Sequence, residues 1–297
     1  MRREKSNKYK NIQFKLKRRK PNRSRTVDFI IYFFLVIIAL LMVFPLVFAI
    51  SSSLKPLDEL FLFPPKLFAR NPTLDNFTDL FVNMSKSWVA FSRYIFNTVF
   101  ITVVGTVGHL IIASMGAFVL SKYDFPGGRI FFRIAVVALM FNGYATAIPN
   151  YLIISRLGWI DSYLAVIIPA FAAPMGLFLM KQYMEGVPVS LIEAARIDGA
   201  GIWRIFSKIV MPNVKPAWLT LTIFSVQSLW NNQAATYIYS EEKKTLTYAL
   251  AQVQSGGIAR TGQAAAVSVI MMIVPVMVFI ISQSQILETM ATSGIKE

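Results

Sequence analysis

Six apolar runs, at about 29–50, 94–120, 134–155, 163–180, 217–235 and 264–287, contain no Asp, Glu, Lys or Arg. A helix needs about 20 apolar residues to cross the hydrocarbon layer of a bilayer. Only helices and closed barrels satisfy their backbone polar groups there. The runs therefore predict an all-α, polytopic membrane protein with six transmembrane helices. Composition agrees: 55% of the 297 residues are hydrophobic and 15% are charged, where a soluble domain carries about a quarter charged residues.

Charge placement gives the orientation. Of the 30 Lys and Arg residues, twelve precede Val27. This tail abuts the first apolar run and reads as a positive-inside anchor rather than a nucleic-acid arm. The first run is too long for a cleaved leader, and no small-residue cleavage site follows it. With the tail in the cytoplasm, six crossings return the C-terminus there. Segments 121–133, 181–216 and 288–297 then lie inside, and 51–93, 156–162 and 236–263 outside. The inside segments, tail included, hold 21 of the basic residues against 9 outside. Without the tail the two sides balance, so the orientation rests on the tail. Two divisions follow: a basic tail over 1–26 and a six-helix domain over 27–297. The Pro-Pro pair and Asn-Pro-Thr turn of the loop 51–93 break helix, leaving room for short interfacial pieces.

Several chemistries are excluded. The chain has no cysteine and one histidine, His109, so thiolate catalysis and Cys-based metal sites are absent. A lone histidine on a membrane helix is expected to bond a neighbouring carbonyl or hydroxyl. Charge-free apolar runs also lack the ionisable groups that proton- and ion-coupled carriers keep inside the bilayer, and the carboxylates or metal ligands of membrane hydrolases. No catalytic residue and no metal site is expected, and energy must enter from outside the membrane.

Uncharged polar residues are plentiful. "MFNGYATAIPNYLI" carries Asn142, Tyr144 and Asn150, and "FSVQSLWNNQAATYIY" carries Gln227, Trp230, Asn231 and Asn232. Amides exchange hydrogen bonds with hydroxyls and ring faces cover the apolar side of a sugar, so these residues are candidates for lining a solute pathway. Polar bonding between helices explains them equally well one at a time.

Between the fourth and fifth runs lies a piece of different character, about 185–216, including "SLIEAARIDGAGIWRIFSKIVMPNVKPA". Ser190 and Glu193 have the spacing of a capping box, and Asp198-Gly199 has the form of a helix stop. Ile202, Ile205, Phe206 and Ile209 form an apolar stripe on a second helix ending at Pro212. Physically this is a water-facing helix-break-helix.

The order Glu193-Ala194-Ala195, Gly199, Ile209-x-x-Pro212 resembles the EAA motif of the membrane subunits of bacterial ATP-binding cassette importers. Met211 stands where the family usually has Leu. "SSSLKPLDELFLFPPKLFARNPTLDNFTDLF", "LGWIDSYLAVIIPA" and "ETMATSGIKE" resemble further segments of the smaller maltose-type permease subunit. The resemblance spans most of 27–297 and none of the basic tail.

It implies a type I importer permease fold in a bacterial cell membrane. Glu193, Ala194, Ala195, Asp198, Gly199, Ala200, Ile209 and Pro212 would dock a cytoplasmic ATPase, and the tail from Glu288 would reach towards the ATPase interface. The implied partners are two ATPase subunits carrying ATP and Mg, a second permease subunit, an extracytoplasmic solute-binding protein, membrane lipid and a carbohydrate. The chain alone fits a homodimer as well as a heterodimer. It has no GxxxxGK[ST] phosphate loop, so no cofactor is expected on this subunit. A polyol or glycerol-phosphate-like solute, or an ion-coupled carrier, are the alternatives.

Overall fold

The computed structural model describes residues 25–85, 89–141, 143–257 and 260–293. Among them the regular structure is all helical. In chain order the elements are α1 Arg25–Ser53, α2 Leu57–Leu60, α3 Asp75–Ser85, α4 Phe91–Lys122, α5 Gly128–Ala138, α6 Gly143–Arg156, α7 Leu164–Phe171 and α8 Pro174–Glu185. They continue with α9 Val189–Ile197, α10 Ile202–Ile205, a π-helical turn Phe206–Val210, α11 Met211–Asn213, α12 Lys215–Trp230, a 3₁₀ turn Glu241–Lys243, α13 Leu246–Gln254 and α14 Thr261–Ser293. The chain divides into a unit of residues 1–47 and a unit of residues 48–297. The expected basic tail falls almost wholly outside the described residues, as do the side chains of the expected tail from Glu288.

Four stretches are long and apolar enough to cross a bilayer: Thr26–Ser53, Phe91–Lys122, Leu164–Glu185 and Thr261–Gln285. The expected third and fifth crossings differ from simple rods. Gly128–Ala138 and Gly143–Arg156 meet at 114°, and Ile202–Asn213 turns by 81° into Lys215–Trp230. Six spans result when each bent pair is counted as one.

In the larger unit α4 is the central helix, packed against α7, α8 and α12, while α14 packs on α12, α13 and α3. Gly108 lets α7 come close, because a Cβ there would lie 2.0 Å from the Phe171 ring. Between α7 and α8 the chain breaks at Ala172–Ala173, since Pro174 has no N–H for the Ala170 carbonyl. Ala173 N–H takes that carbonyl at 3.3 Å instead.

His109 holds the break. Its Nε2 lies 3.1 Å from the Ala173 carbonyl and its Nδ1 2.8 Å from Ser225 Oγ on α12. A carbonyl only accepts, so in the neutral ring Nε2 carries the proton and Ser225 donates to Nδ1. The histidine thus ties three helices together, as a lone histidine in such a place is expected to do.

Two cores matter for function. One gathers Ala113, Ala117 and Phe118 of α4, Met180 and Met184 of α8, and Ala217 and Leu221 of α12 beneath Ile192, Ala195, Ile205, Phe206 and Val210. The other joins Leu80, Tyr94, Trp230, Leu246, Leu250 and Val267.

Candidate functional site

The water-facing element begins differently from the capping-box expectation. Pro188, at φ −59° and ψ 135°, is the residue before the helix, and no side chain caps its start. Proline fixes φ in advance, and its carbonyl accepts from Leu191 N–H at 3.3 Å. Ser190 therefore sits inside the first turn, two positions too late to cap. Glu193 is left out of any cap and is exposed.

The helix stop is as the sequence indicates. Gly199 has φ +76°, its N–H donates to the Arg196 carbonyl at 3.0 Å, and Ala200 N–H donates to the Ala195 carbonyl at 2.9 Å. These two bonds define a Schellman closure. Its usual apolar contact is present too, with Ala195 buried and Ala200 packed on the same core.

The apolar stripe of the second half is shifted. The π turn inserts an i→i+5 step, so the buried positions are Ile205, Phe206, Val210 and Val214. Ile202 is exposed and Ile209 only half-buried. Pro212 is exposed where the chain bends into α12, and Asn213 donates to the Ile209 carbonyl at 2.7 Å.

The motif residues thus divide by role. Ile192 and Ala195 face inward onto α4 and α8. Glu193, Ala194, Asp198 and Gly199 are exposed, beside a run of exposed apolar residues (Val189, Leu191, Ile197, Ile202 and Trp203). Ile197 is 86% exposed. The element is braced from behind by Lys122, Tyr123 and Phe118. Lys122 Nζ donates to the Val187 carbonyl at 2.7 Å, and Arg196 reaches the Tyr123 hydroxyl at 3.2 Å. Phe118 lies 5.4 Å from the Phe206 ring and 5.7 Å from that of Tyr123.

At the opposite end of α4 the remaining loops gather. Tyr94 donates to Glu241 at 2.8 Å. Asn97 donates to the carbonyls of Glu242 and Lys244 at 2.8 and 2.9 Å and accepts from Tyr163 at 2.7 Å. Asp161, at φ 57°, accepts from the N–H groups of Tyr239 and Ser240 at 3.0 and 2.9 Å, from the Ser240 hydroxyl, and from Lys243 at 3.1 Å. The Ser240 hydroxyl foremost, with the Ser240 N–H, Lys243 and the Tyr239 N–H, holds the Asp161 carboxyl well below the usual carboxylate range against the opposing push of burial. Loops that charge placement sorts together, 156–162 with 236–263 and 121–133 with 181–216, are therefore joined in space.

The expected pathway residues fall into three groups. Asn142 lies outside the described residues. Tyr144, Asn150 and Gln227 are exposed, Tyr144 at 90%. The others carry structural bonds. Trp230 is buried and its indole N–H donates to the Met271 carbonyl at 3.0 Å, tying α12 to α14. Asn231 donates to the Gln227 carbonyl at 2.9 Å, and Asn232 accepts from Ala234 N–H at 2.8 Å, so both shape the turn after α12 while remaining exposed.

What sequence reasoning missed is that the two polar stretches meet. Tyr151 of α6 lies 6.4 Å from Tyr237, ring to ring at 17°, and its hydroxyl is 3.5 Å from that of Tyr239. Tyrosines in both stretches were the only signal, since residues 88 apart share no local pattern. Among the described residues no group of His, Cys, Asp and Glu could hold a metal ion.

Comparison with known proteins follows the same lines. A family model described as "Binding-protein-dependent transport system inner membrane component" matches residues 16–290. The arabinooligosaccharides transport system permease protein AraQ of Halalkalibacterium halodurans is 35% identical over 201 residues, covering 66% of this chain and 69% of that protein. The polygalacturonan/rhamnogalacturonan transport system permease protein YtcP of Bacillus subtilis is 31% identical over 221 residues, 73% of each. Among solved structures, a bacterial ABC transporter involved in import of the acidic polysaccharide alginate superposes with a TM-score of 0.74 at 26% identity. It covers 89% of this chain and 99% of that one.

Proposed function

The chain belongs to the family of binding-protein-dependent transport system inner membrane components, and on that premise we propose that it is one permease subunit of an ATP-driven oligosaccharide importer. Permeases of this family are membrane-embedded transport subunits, not enzymes. The carbohydrate follows from what the relatives are named for, arabinooligosaccharides and polygalacturonan/rhamnogalacturonan, and from apolar runs that offer amides and rings but no charge.

The observation that carries the coupling role is the Schellman-closed helix α9. It presents Glu193, Asp198 and Ile197 outward while Ile192 and Ala195 root it in the core shared by α4, α8 and α12. A force applied at that surface passes through close-packed side chains into three membrane helices. The proposal places this surface in the cytoplasm, in a cleft of one of two ATPase subunits that bind ATP and Mg. A second permease subunit completes the pathway, and a solute-binding protein delivers the sugar to the opposite end. The termini are then both cytoplasmic. The Ala172–Ala173 break and the 81° bend at Val214 are where the helices can reorient as the pathway alternates.

The test is reconstitution of the chain with its second permease, ATPase pair and binding protein in proteoliposomes. Glu193→Lys reverses a charge at the docking face, and misplaced charge at an interface costs several kcal/mol. Solute-stimulated ATP hydrolysis should fall by about tenfold or more. Full stimulation in Glu193→Lys, and in Gly199→Asp beside it, refutes the assignment.

A further inference from the structure

Resting on the importer reading above, we propose that Tyr151, Tyr237 and Tyr239 form a sugar-stacking subsite on this subunit, at the end of the molecule away from α9. Its class of ligand is a short run of an oligosaccharide, held by ring faces and hydroxyls rather than by charge.

The three rings arrive from two segments. Tyr151 stands near the end of α6, whereas Tyr237 and Tyr239 belong to the connection after α12. The Tyr151 and Tyr237 rings stack near-parallel, 6.4 Å apart, and an open ring face covers the apolar side of a sugar ring. Tyr239 donates its hydroxyl to the Thr236 carbonyl at 3.0 Å, which leaves its oxygen to accept. The Tyr151 and Tyr239 hydroxyls, 3.5 Å apart, are at the limit of a hydrogen bond, so a ligand hydroxyl competes easily there. Exposed Asn150, Asn232, Gln233 and Thr236 surround the rings in sequence, a hydrogen-bonding company suited to polyols.

A membrane-interface belt also uses tyrosine, but it needs no convergence. Here one residue, Asp161, fixes the backbone that carries two of the three rings, Tyr237 and Tyr239. Asp161 receives Tyr239 N–H, both donors of Ser240 and the Lys243 ammonium. Its own N–H donates to the Tyr237 carbonyl at 2.8 Å, and its carbonyl accepts from Lys243 at 2.7 Å. Rings held in place before the ligand arrives lose little freedom when it binds. Tyr239 still offers more than half of its surface, at 54% exposed.

The probes are arabinotriose, maltotriose and trigalacturonate, each added to the assembled transporter in nanodiscs without binding protein and followed by saturation-transfer NMR. Wild type should transfer magnetisation to ring C–H protons of at least one of them. The Tyr151→Ala, Tyr239→Ala double variant should weaken that apparent affinity by roughly tenfold or more, and the matching double Phe variant by only a few-fold. Silence from all three sugars in wild type, or unchanged transfer in the double Ala variant, overturns the subsite. A double Ala variant that only lowers thermal stability in nanodiscs marks a membrane anchor and also overturns it. Glu193→Lys separates the two readings: it should keep sugar transfer while losing coupling. Normal solute-stimulated hydrolysis alongside absent transfer sinks the subsite and leaves the importer standing.

Discussion

Replacing Gly199 by alanine isolates one physical quantity in the coupling element. The glycine has φ +76°, and a Cβ built there meets no atom within 4 Å. Sterics with neighbours therefore contribute nothing, and the whole cost is that of an L-residue in the left-handed region, about 1–2 kcal/mol. Asparagine occupies that region more readily, so Gly199→Asn should cost only a fraction of this. Both substitutions act on the closure bonds of Gly199 and Ala200 to the Arg196 and Ala195 carbonyls. A loss of 1–2 kcal/mol raises the open fraction of the closure by about 5–30-fold. Hydrogen exchange of the Ala200 amide reads this directly, with Leu221, deep in the adjoining core, as the internal reference. Protection should rank wild type, Asn, Ala, with Ala lowered by about 5–30-fold and Leu221 unchanged in all three. Equal protection in Gly and Ala, or Asn no better than Ala, would show that the left-handed turn does not hold the element closed.

Three other perturbations have definite outcomes. A Cβ at residue 176 would lie 2.2 Å from His109 Nε2 and 3.0 Å from Ala113 Cβ, so Gly176→Ala should destabilise by about 1–3 kcal/mol through overpacking. Thermal unfolding in detergent should show the lower midpoint, and adding His109→Ala should cost less than the two changes summed; a neutral Gly176→Ala contradicts the packing. Trp230→Phe keeps a ring but loses the bond to Met271, so stability should drop by about 1 kcal/mol; altered sugar affinity with unchanged stability would return Trp230 to the pathway. Asp161 has a folded-state pKa depressed below its unfolded value, so its stabilisation is present above the unfolded value and fades as pH falls towards the folded one. Protease resistance of the connection 231–245 should then be flat between about pH 5 and 8 and decline only in stronger acid. Asp161→Asn should lower it throughout that range, and a transition near neutrality in wild type would count against the clamp.

The sequence made the membrane helices visible because burial in lipid demands long charge-free runs, and length is all that such a run encodes. It does not encode direction. The run 134–155 reads as one crossing, yet the helix stops at Ala138 and restarts at Gly143, while Pro149 lies inside α6. Local chemistry was legible where one residue type alone suffices, as at Gly199. It was misread where two residues compete, as Pro188 displaced Ser190 from the cap. The π turn moved the buried stripe from Ile202 and Ile209 to Val210 and Val214, because the demand comes from the core below and not from the helix itself. Trp230 looked like an open ring among amides, and only the tertiary contact with Met271 places it in the helix packing. The segment carrying Tyr237 and Tyr239 is fastened by Asp161, which lies between the two stretches in sequence, and no periodicity carries that.

The central claim is that the surface of α9 meets an ATPase. The chain contains no cysteine, so Ile197→Cys and, at the other end, Thr236→Cys each give a single reporter on an exposed residue. Maleimide labelling should be fast at both positions in the permease without its ATPase. Assembly with the ATPase should reduce labelling at residue 197 to a small fraction and leave residue 236 unchanged. Equal labelling of residue 197 with and without the ATPase would contradict the account.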